Sequence, residues 1–196
     1  MRIAISGTHS VGKSTFVQDF LAAHPDYQFE EEPYRAIRHQ HEIVFAEDQT
    51  QNHVMLQLNH CIESIKKYHP GDKVICDRCP IDYIPYSSYS IDHGRQDIDK
   101  KFVDSLYPLV KEVIGHLDLI VFVPISDEHP ILLEVDGHRP PHDFYRDWVD
   151  EAFKELYREN LKTVISGKAP KVVEIVGDRQ SRIKQLNEII KSMGQN

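Results

Sequence analysis

The chain of 196 residues is expected to fold as one three-layer α/β domain, a parallel β-sheet covered by helices on both faces. Two observations carry that expectation. Short apolar runs of β character alternate with longer segments of helical period, as crossover connections between parallel strands require. The runs are also nearly continuous in apolar residues, the pattern of strands buried on both sides.

In chain order the expected strands are Arg2–Ser6, Tyr27–Glu31, Lys73–Asp77, Leu117–Val123 and Lys171–Val176. A helical segment from Phe16 to Leu21 follows the first. Val54, Leu58, Cys61, Ile62 and Ile65 repeat at helical spacing, and so do Ile98, Phe102, Leu106, Leu109 and Val113. Pro108 is expected to kink or break that second helix. A third stripe runs through Val149, Ala152, Phe153, Leu156 and Tyr157. A fourth, through Ile183, Leu186, Ile189, Ile190 and Met193, stops at Gly194. The polar stretch 125–146, punctuated by Gly137 and by Pro140-Pro141, reads as a lid.

Composition narrows the function classes. With 40% hydrophobic and 28% charged residues the sequence is of ordinary globular type, and its formal charge of −8 argues against a nucleic-acid or anionic-lipid partner. No apolar run approaches the roughly 20 residues of a membrane span, so a cytoplasmic location is expected. Nothing in the pattern signals an oligomeric state. Cys76 and Cys79 form a C-x-x-C, but a zinc site lacks two further ligands at matching spacing. Asp77 and Arg78, between the two cysteines, are the better carriers of chemistry. His39-Gln40-His41 is a weak metal pattern with no partner nearby.

Gly7-Thr8-His9-Ser10-Val11-Gly12-Lys13-Ser14 fits G-x-x-x-x-G-K-[ST] between an apolar strand and a helical segment. Glycines let successive N–H groups turn toward phosphate oxygens, and the helix start adds its positive end. Residues Gly7 to Thr15 are thus expected to hold a nucleoside triphosphate, ATP with GTP also possible. Lys13 would reach the β- and γ-phosphates, and Ser14 would offer its hydroxyl to Mg²⁺. His9 is read as filling a tolerant position.

The chemistry must be read elsewhere. There is no N-K-x-D of a guanine-specific switch and no apolar strand ending Asp-Glu as in motors. Instead Val74-Ile75-Cys76 ends in Asp77-Arg78, an acid to organise Mg²⁺ beside a guanidinium to hold phosphoryl oxygens. The second strand leaves the sheet at Glu30-Glu31-Glu32, where Glu32 is placed either to meet an acceptor hydroxyl or to end a solvated run. Asp82 would bind substrate hydroxyls or cap the helix that follows. Tyr83, Tyr86 and Tyr89 either stack on an acceptor ring or simply pack. Arg139 and Arg146, in the lid, are candidates to close over the transferring phosphate. Gly177-Asp178-Arg179 is placed to pack beside a base.

Strand–GxxxxGKS–helix, strand–Glu-Pro and strand–Asp-Arg together resemble the P-loop nucleoside and nucleotide kinases. Glu32-Pro33 and Asp77-Arg78 are similar to the Glu-Pro and Glu-Arg pairs of deoxynucleoside kinases. The stretch ISGTHSVGKST, the E-x-x-R of Glu32 to Arg35 and the D-G-x-R of Asp136 to Arg139 look closer to a small AAA-like P-loop family. That family includes the nicotinamide riboside kinase domain of bifunctional NAD-biosynthesis proteins. The resemblance implies sheet order 2-3-1-4-5, a lid before the penultimate helix, Glu32 and Arg35 at the acceptor, and Asp77 serving Mg²⁺ or acting as base. The function expected is Mg²⁺-dependent transfer of the γ-phosphate of ATP to a hydroxyl of a small nucleoside-like acceptor, with Lys13, Glu32, Asp77 and Arg139 as its catalytic set. The alternative is a regulatory NTPase acting through a protein or lipid partner, which has no need of a carboxylate at Glu32.

Overall fold

The computed structural model describes residues 1–41, 49–94, 97–130, 143–165, 167 and 169–194. Strands β1 (Arg2–Ser6), β2 (Gln28–Glu30), β3 (Val74–Asp77), β4 (Leu119–Phe122) and β5 (Lys171–Glu174) form a parallel sheet in the order β2-β3-β1-β4-β5. The second, third, fourth and fifth expected runs are each shortened at one or both ends. Val123 and Ile175 nonetheless continue the ladder, with their N–H groups bonded to Ser6 and Phe122 carbonyls.

Alternation along the strands sorts the core onto two faces. Ile3, Ile5, Ile75, Leu119 and Val121 meet Phe16, Val17 and Phe20 of α1 (Lys13–Ala23) and Leu186 of α8 (Arg179–Met193). Ala4, Cys76, Ile120 and Phe122 face the opposite way, in a larger core. There they meet α3 (Gln51–Lys66), α4 (Tyr83–Asp92), α5 (Lys100–Ile114), α6 (Asp143–Arg158) and the short α7 (Leu161–Val164). Helix α2 (Pro33–His41) packs Tyr34 and Ile37 in a small cluster with Leu56. Cys61, Cys76 and Cys79 are buried free thiols inside the larger core, and burial pushes the Cys76 thiol up to about 12.

The helix starts follow from local chemistry. Thr50 accepts from the N–H of His53 at the head of α3, Asp99 from Phe102 at α5, and Asp178 from Ser181 at α8. Against expectation, Pro108 neither breaks nor ends α5, which runs through it to Ile114. Pro108 lies on the exposed side, so the carbonyl it leaves unpaired faces water, while Phe102, Val103, Leu106 and Val110 hold the buried side together.

Register brings three loop starts to one edge. Ile5 pairs with Asp77 and Ser6 with Phe122, so Gly7, Arg78 and Val123 leave the sheet side by side. Glu30 pairs with Cys76, which carries Glu32 abreast of Arg78. This is the carboxyl edge of the strands, where parallel sheets place their ligands.

Candidate active site

The phosphate loop opens at Gly7, whose φ of 136° is one that side-chain-bearing residues avoid. A Cβ there would stand 2.4 Å from the Val123 carbonyl oxygen, so glycine is required twice over. The loop closes at Gly12, left-handed at φ 77°, which turns the chain into α1. Lys13 is buried on the inner side of the loop and donates to the Thr8 carbonyl at 2.5 Å. Burial, with the Arg78 guanidinium nearby, pushes its ammonium down to about 7. Ser14 Oγ donates to Asp77 Oδ2 at 2.6 Å. Two hard oxygens side by side at the mouth of a phosphate loop are a donor set that fits Mg²⁺.

Opposite the loop lies a buried polar network centred on Arg78. Its backbone φ is 132°, a strained value for a residue with a Cβ. Nε and Nη2 donate to Glu32 Oε1 at 3.1 and 3.0 Å, while Nη1 donates to the Gly7 carbonyl at 3.0 Å, to Asp82 Oδ2 at 3.3 Å and to the Tyr86 hydroxyl at 3.2 Å. One guanidinium therefore ties the carboxylate after β2 to the first residue of the phosphate loop. Glu32 itself is fixed by local structure. Its carbonyl accepts the first N–H groups of α2, with Pro33 at the first helical position, and Arg35, one turn on, approaches its Oε2 at 3.2 Å. Glu30 turns away to Lys67 and Tyr68, and Glu31 is exposed.

Asp82 does not cap α4; it is 1% exposed and accepts from Ser6 Oγ at 2.5 Å, and Ser6 in turn accepts from Tyr157 at 2.7 Å. Burial pushes its carboxyl up to about 6, although Arg78 and Ser6 pull the other way. Glu32, Gln49, Gln57, Arg78, Asp82, Tyr83, Tyr86 and Tyr145 surround a space of about 20 Å³. Tyr89 points elsewhere, into the aromatic packing between α4 and α6 around Tyr145 and Trp148.

His9 is more than a filler. It is buried with its ring stacked 5.3 Å from Tyr145, and Thr8 Oγ1 donates to the Arg146 carbonyl at 3.2 Å. Tyr145 and Arg146 belong to the first turn of α6, so the helix begins before the end of the expected lid. The loop is thereby clasped to the root of α6. Beside it lies a cavity of about 420 Å³, lined among others by Ser10, Val11, Ile125, Arg146, Asp150 and Arg182. Arg179, expected beside a base, instead pairs with Asp19 of α1 on the surface, and Asp178 is occupied as a helix cap. Asp136, Arg139 and most of the lid, with the side chains of His39 and His41, lie outside the described residues.

A family model described as "AAA domain" matches residues 2–172. The chain belongs to this family. No curated protein sequence matches it. Among solved structures, this AAA domain is similar to a NadR protein in complex with NR, at 20% identity and a TM-score of 0.64 over 95% of this chain and 50% of that one. It therefore spans about half the length of the NadR structures it matches. A deoxyadenosine kinase from M. mycoides aligns at 15% identity and a TM-score of 0.69 over 98% of this chain and 100% of that one. Thymidylate kinase from Candida albicans follows at 16% and 0.55, over 98% and 91%. Likeness at these identities is likeness of fold: the AAA domain has the P-loop kinase-type core, with the sheet order the sequence resemblance implies.

Several groups of the site went unnoticed in the sequence. Ser6 and Tyr157, 151 positions apart, meet only through the fold. Arg182 sits in a helical stripe as an ordinary polar neighbour of Ile183, yet it is buried and bonded to the phosphate loop. A faint signal was available for Tyr145: an aromatic flanked by Phe144 and Arg146 directly after a polar loop.

Proposed function

We propose that this AAA domain transfers the γ-phosphate of a nucleoside triphosphate, ATP or GTP, to a hydroxyl of a small nucleoside-like acceptor. The observation that carries the reading is Glu32, a buried carboxylate bonded to the same Arg78 guanidinium that holds the phosphate loop at Gly7. A nucleotide-gated switch has no use for an acid there. A phosphotransferase needs one to orient, and accept the proton of, an attacking hydroxyl.

The geometry supports the following division of labour for the described residues. Lys13 and the loop N–H groups would hold the phosphate chain, and Arg146, at the cavity beside the loop, would neutralise its outer charge. Ser14 and Asp77 would hold Mg²⁺; among the described residues no cluster of three or more His, Cys, Asp or Glu could hold a metal alone, so nucleotide oxygens would complete its shell. The ion, when bound, neutralises phosphate charge. Arg139, in the lid, is proposed as the group that closes over the γ-phosphate.

The charge of the acceptor pocket speaks for an uncharged acceptor. Glu32 and Asp82 face Arg78 and Arg35, so its cations are matched by its own carboxylates. An acceptor already carrying phosphate would break that balance, whereas neutral hydroxyls and an aromatic ring suit Glu32, Tyr83 and Tyr86.

The experiment is incubation with γ-labelled ATP, Mg²⁺ and a pool of nucleosides, nucleotides and nicotinamide riboside, with wild type and Glu32→Gln. Label on an organic acceptor is expected, and Glu32→Gln should cut transfer by about 10²-fold or more while nucleotide affinity stays within a few-fold. Label only in inorganic phosphate, indifferent to the pool, would replace this reading with the regulatory NTPase.

A further inference from the structure

Arg182 is a buried cation of unusual setting. It is 4% exposed, on the first turn of α8, and forms no ion pair among the described residues. Burial pulls its pKa down, and the opposing charge comes from Asp178, whose carboxylate is engaged in capping the helix. A guanidinium so placed is costly to the fold. Its donors go to two main-chain carbonyls: Nε to Gly177 at 2.8 Å and Nη1 to Val11 at 2.8 Å. The second bond spans 171 positions and lands on the phosphate loop.

The Val11 carbonyl shares its peptide plane with the N–H of Gly12. No peptide in the described chain is cis, so carbonyl and N–H point in opposite directions. A donor that anchors the carbonyl from behind fixes the direction of the N–H in front. Arg78 does the same at the other end of the loop, where its bond to the Gly7 carbonyl fixes the N–H of Thr8. Two buried arginines, one just after β3 and one on α8, thus hold the loop by two of its main-chain carbonyls. Arg182 also lines the cavity beside the loop, where its positive charge adds to the attraction for phosphate.

We propose that Arg182 is a positioning residue of the phosphate loop: by holding the Val11 carbonyl it directs the Gly12 N–H toward bound phosphate, and through Gly177 it ties that setting to the β5–α8 turn. The proposal rests on the reading of this loop as a nucleotide site. It makes Arg182 a cost to the protein alone that is recovered when phosphate binds.

The test compares wild type, Arg182→Met and Arg182→Lys. Kd for ATP and ADP is measured by calorimetry, the melting temperature without nucleotide by scanning calorimetry, and KM for both substrates by labelled transfer. Arg182→Met, which keeps the aliphatic bulk, is expected to weaken ATP and ADP about tenfold or more. Its melting temperature without nucleotide should change little, because loss of a buried charge without an ion-pair partner among the described residues offsets the two carbonyls left without their donor. Arg182→Lys keeps the charge but not the two-pronged grip, and should raise KM for ATP several-fold while KM for the acceptor is unmoved. A fall in melting temperature with unchanged nucleotide affinity would overturn the proposal, since Arg182 would then be packing alone. So would a Lys variant with wild-type KM for ATP. Wild type that binds nucleotide without transferring phosphate strikes the kinase reading and leaves the comparison of Kd and melting temperature intact.

Discussion

Lys13 shows how a site residue is held at odds with its own solvation. The ammonium is buried, and burial outweighs Asp77, Asp82 and Glu32 to bring its pKa to about 7. Phosphate oxygens would add negative charge within reach and raise that value again. The sign follows: above about pH 7 the lysine of the protein alone is mostly neutral, and a bound triphosphate would make it charged, so nucleotide binding takes up protons. Uptake should be small at pH 6 and approach one proton per nucleotide at pH 8. Calorimetric titration in buffers of different ionisation enthalpy checks this, and no uptake at pH 8 would refute it. Gly7 and Arg78 carry a different burden, backbone at φ 136° and 132°. At Gly7 the absent side chain removes the penalty; at Arg78 five hydrogen bonds to Glu32, Gly7, Asp82 and Tyr86 hold the strained backbone in place.

Among the elements, α5 is the one whose sequence and structure pull apart. Its apolar positions demand a helix and Pro108 opposes one. Burial wins, since Phe102, Leu106, Val110 and Val113 lie inward and the proline outward. Replacing Pro108 by Ala restores a backbone hydrogen bond at an exposed position and removes the ring clash. It should stabilise the protein by about 1–3 kcal/mol, less than the full helix-propensity difference because the unfolded chain also gains freedom. A higher midpoint in denaturant is expected; a lower midpoint would mean that the proline itself is needed for packing. Helix α8 works in three directions. Leu186 faces the sheet, Arg179 reaches Asp19 at the surface, and Arg182 reaches the phosphate loop.

Taken together, the packing closes the space around Glu32 and Arg78, proposed for the acceptor, more tightly than the cavity beside the phosphate loop. About 20 Å³ is enclosed by Glu32, Arg78, Tyr86 and their neighbours, against about 420 Å³ beside the loop. Ligand sites for nucleoside-sized molecules run to roughly 300 Å³ and more, so the proposed acceptor would have to part the elements that meet there. Those elements are the starts of α2, α4 and α6, joined through Glu32, Tyr86 and Tyr145. Acceptor binding should therefore change hydrogen-exchange protection in residues 33–37, 83–89 and 145–149, whereas nucleotide alone should act mainly on residues 7–15. Unchanged exchange around Tyr86 and Tyr145 on saturation with the acceptor would show a rigid site.

The alternation of apolar runs and helical stripes was enough to read the layered parallel sheet, because burial of whole strands leaves a local signature. The phosphate loop was equally legible in eight consecutive residues, since its requirements at Gly7, Gly12, Lys13 and Ser14 are local ones of backbone freedom and charge. Glu32 stood undecided between a solvated run and a site, and strand ends drifted by a residue or two, because a short stretch carries no record of what lies across the sheet. The contacts of Ser6 with Tyr157, Arg78 with Gly7, His9 with Tyr145 and Arg182 with Val11 join positions 71 to 171 residues apart. Each depends on register and on which helix face turns inward, and these are settled only when the whole core closes.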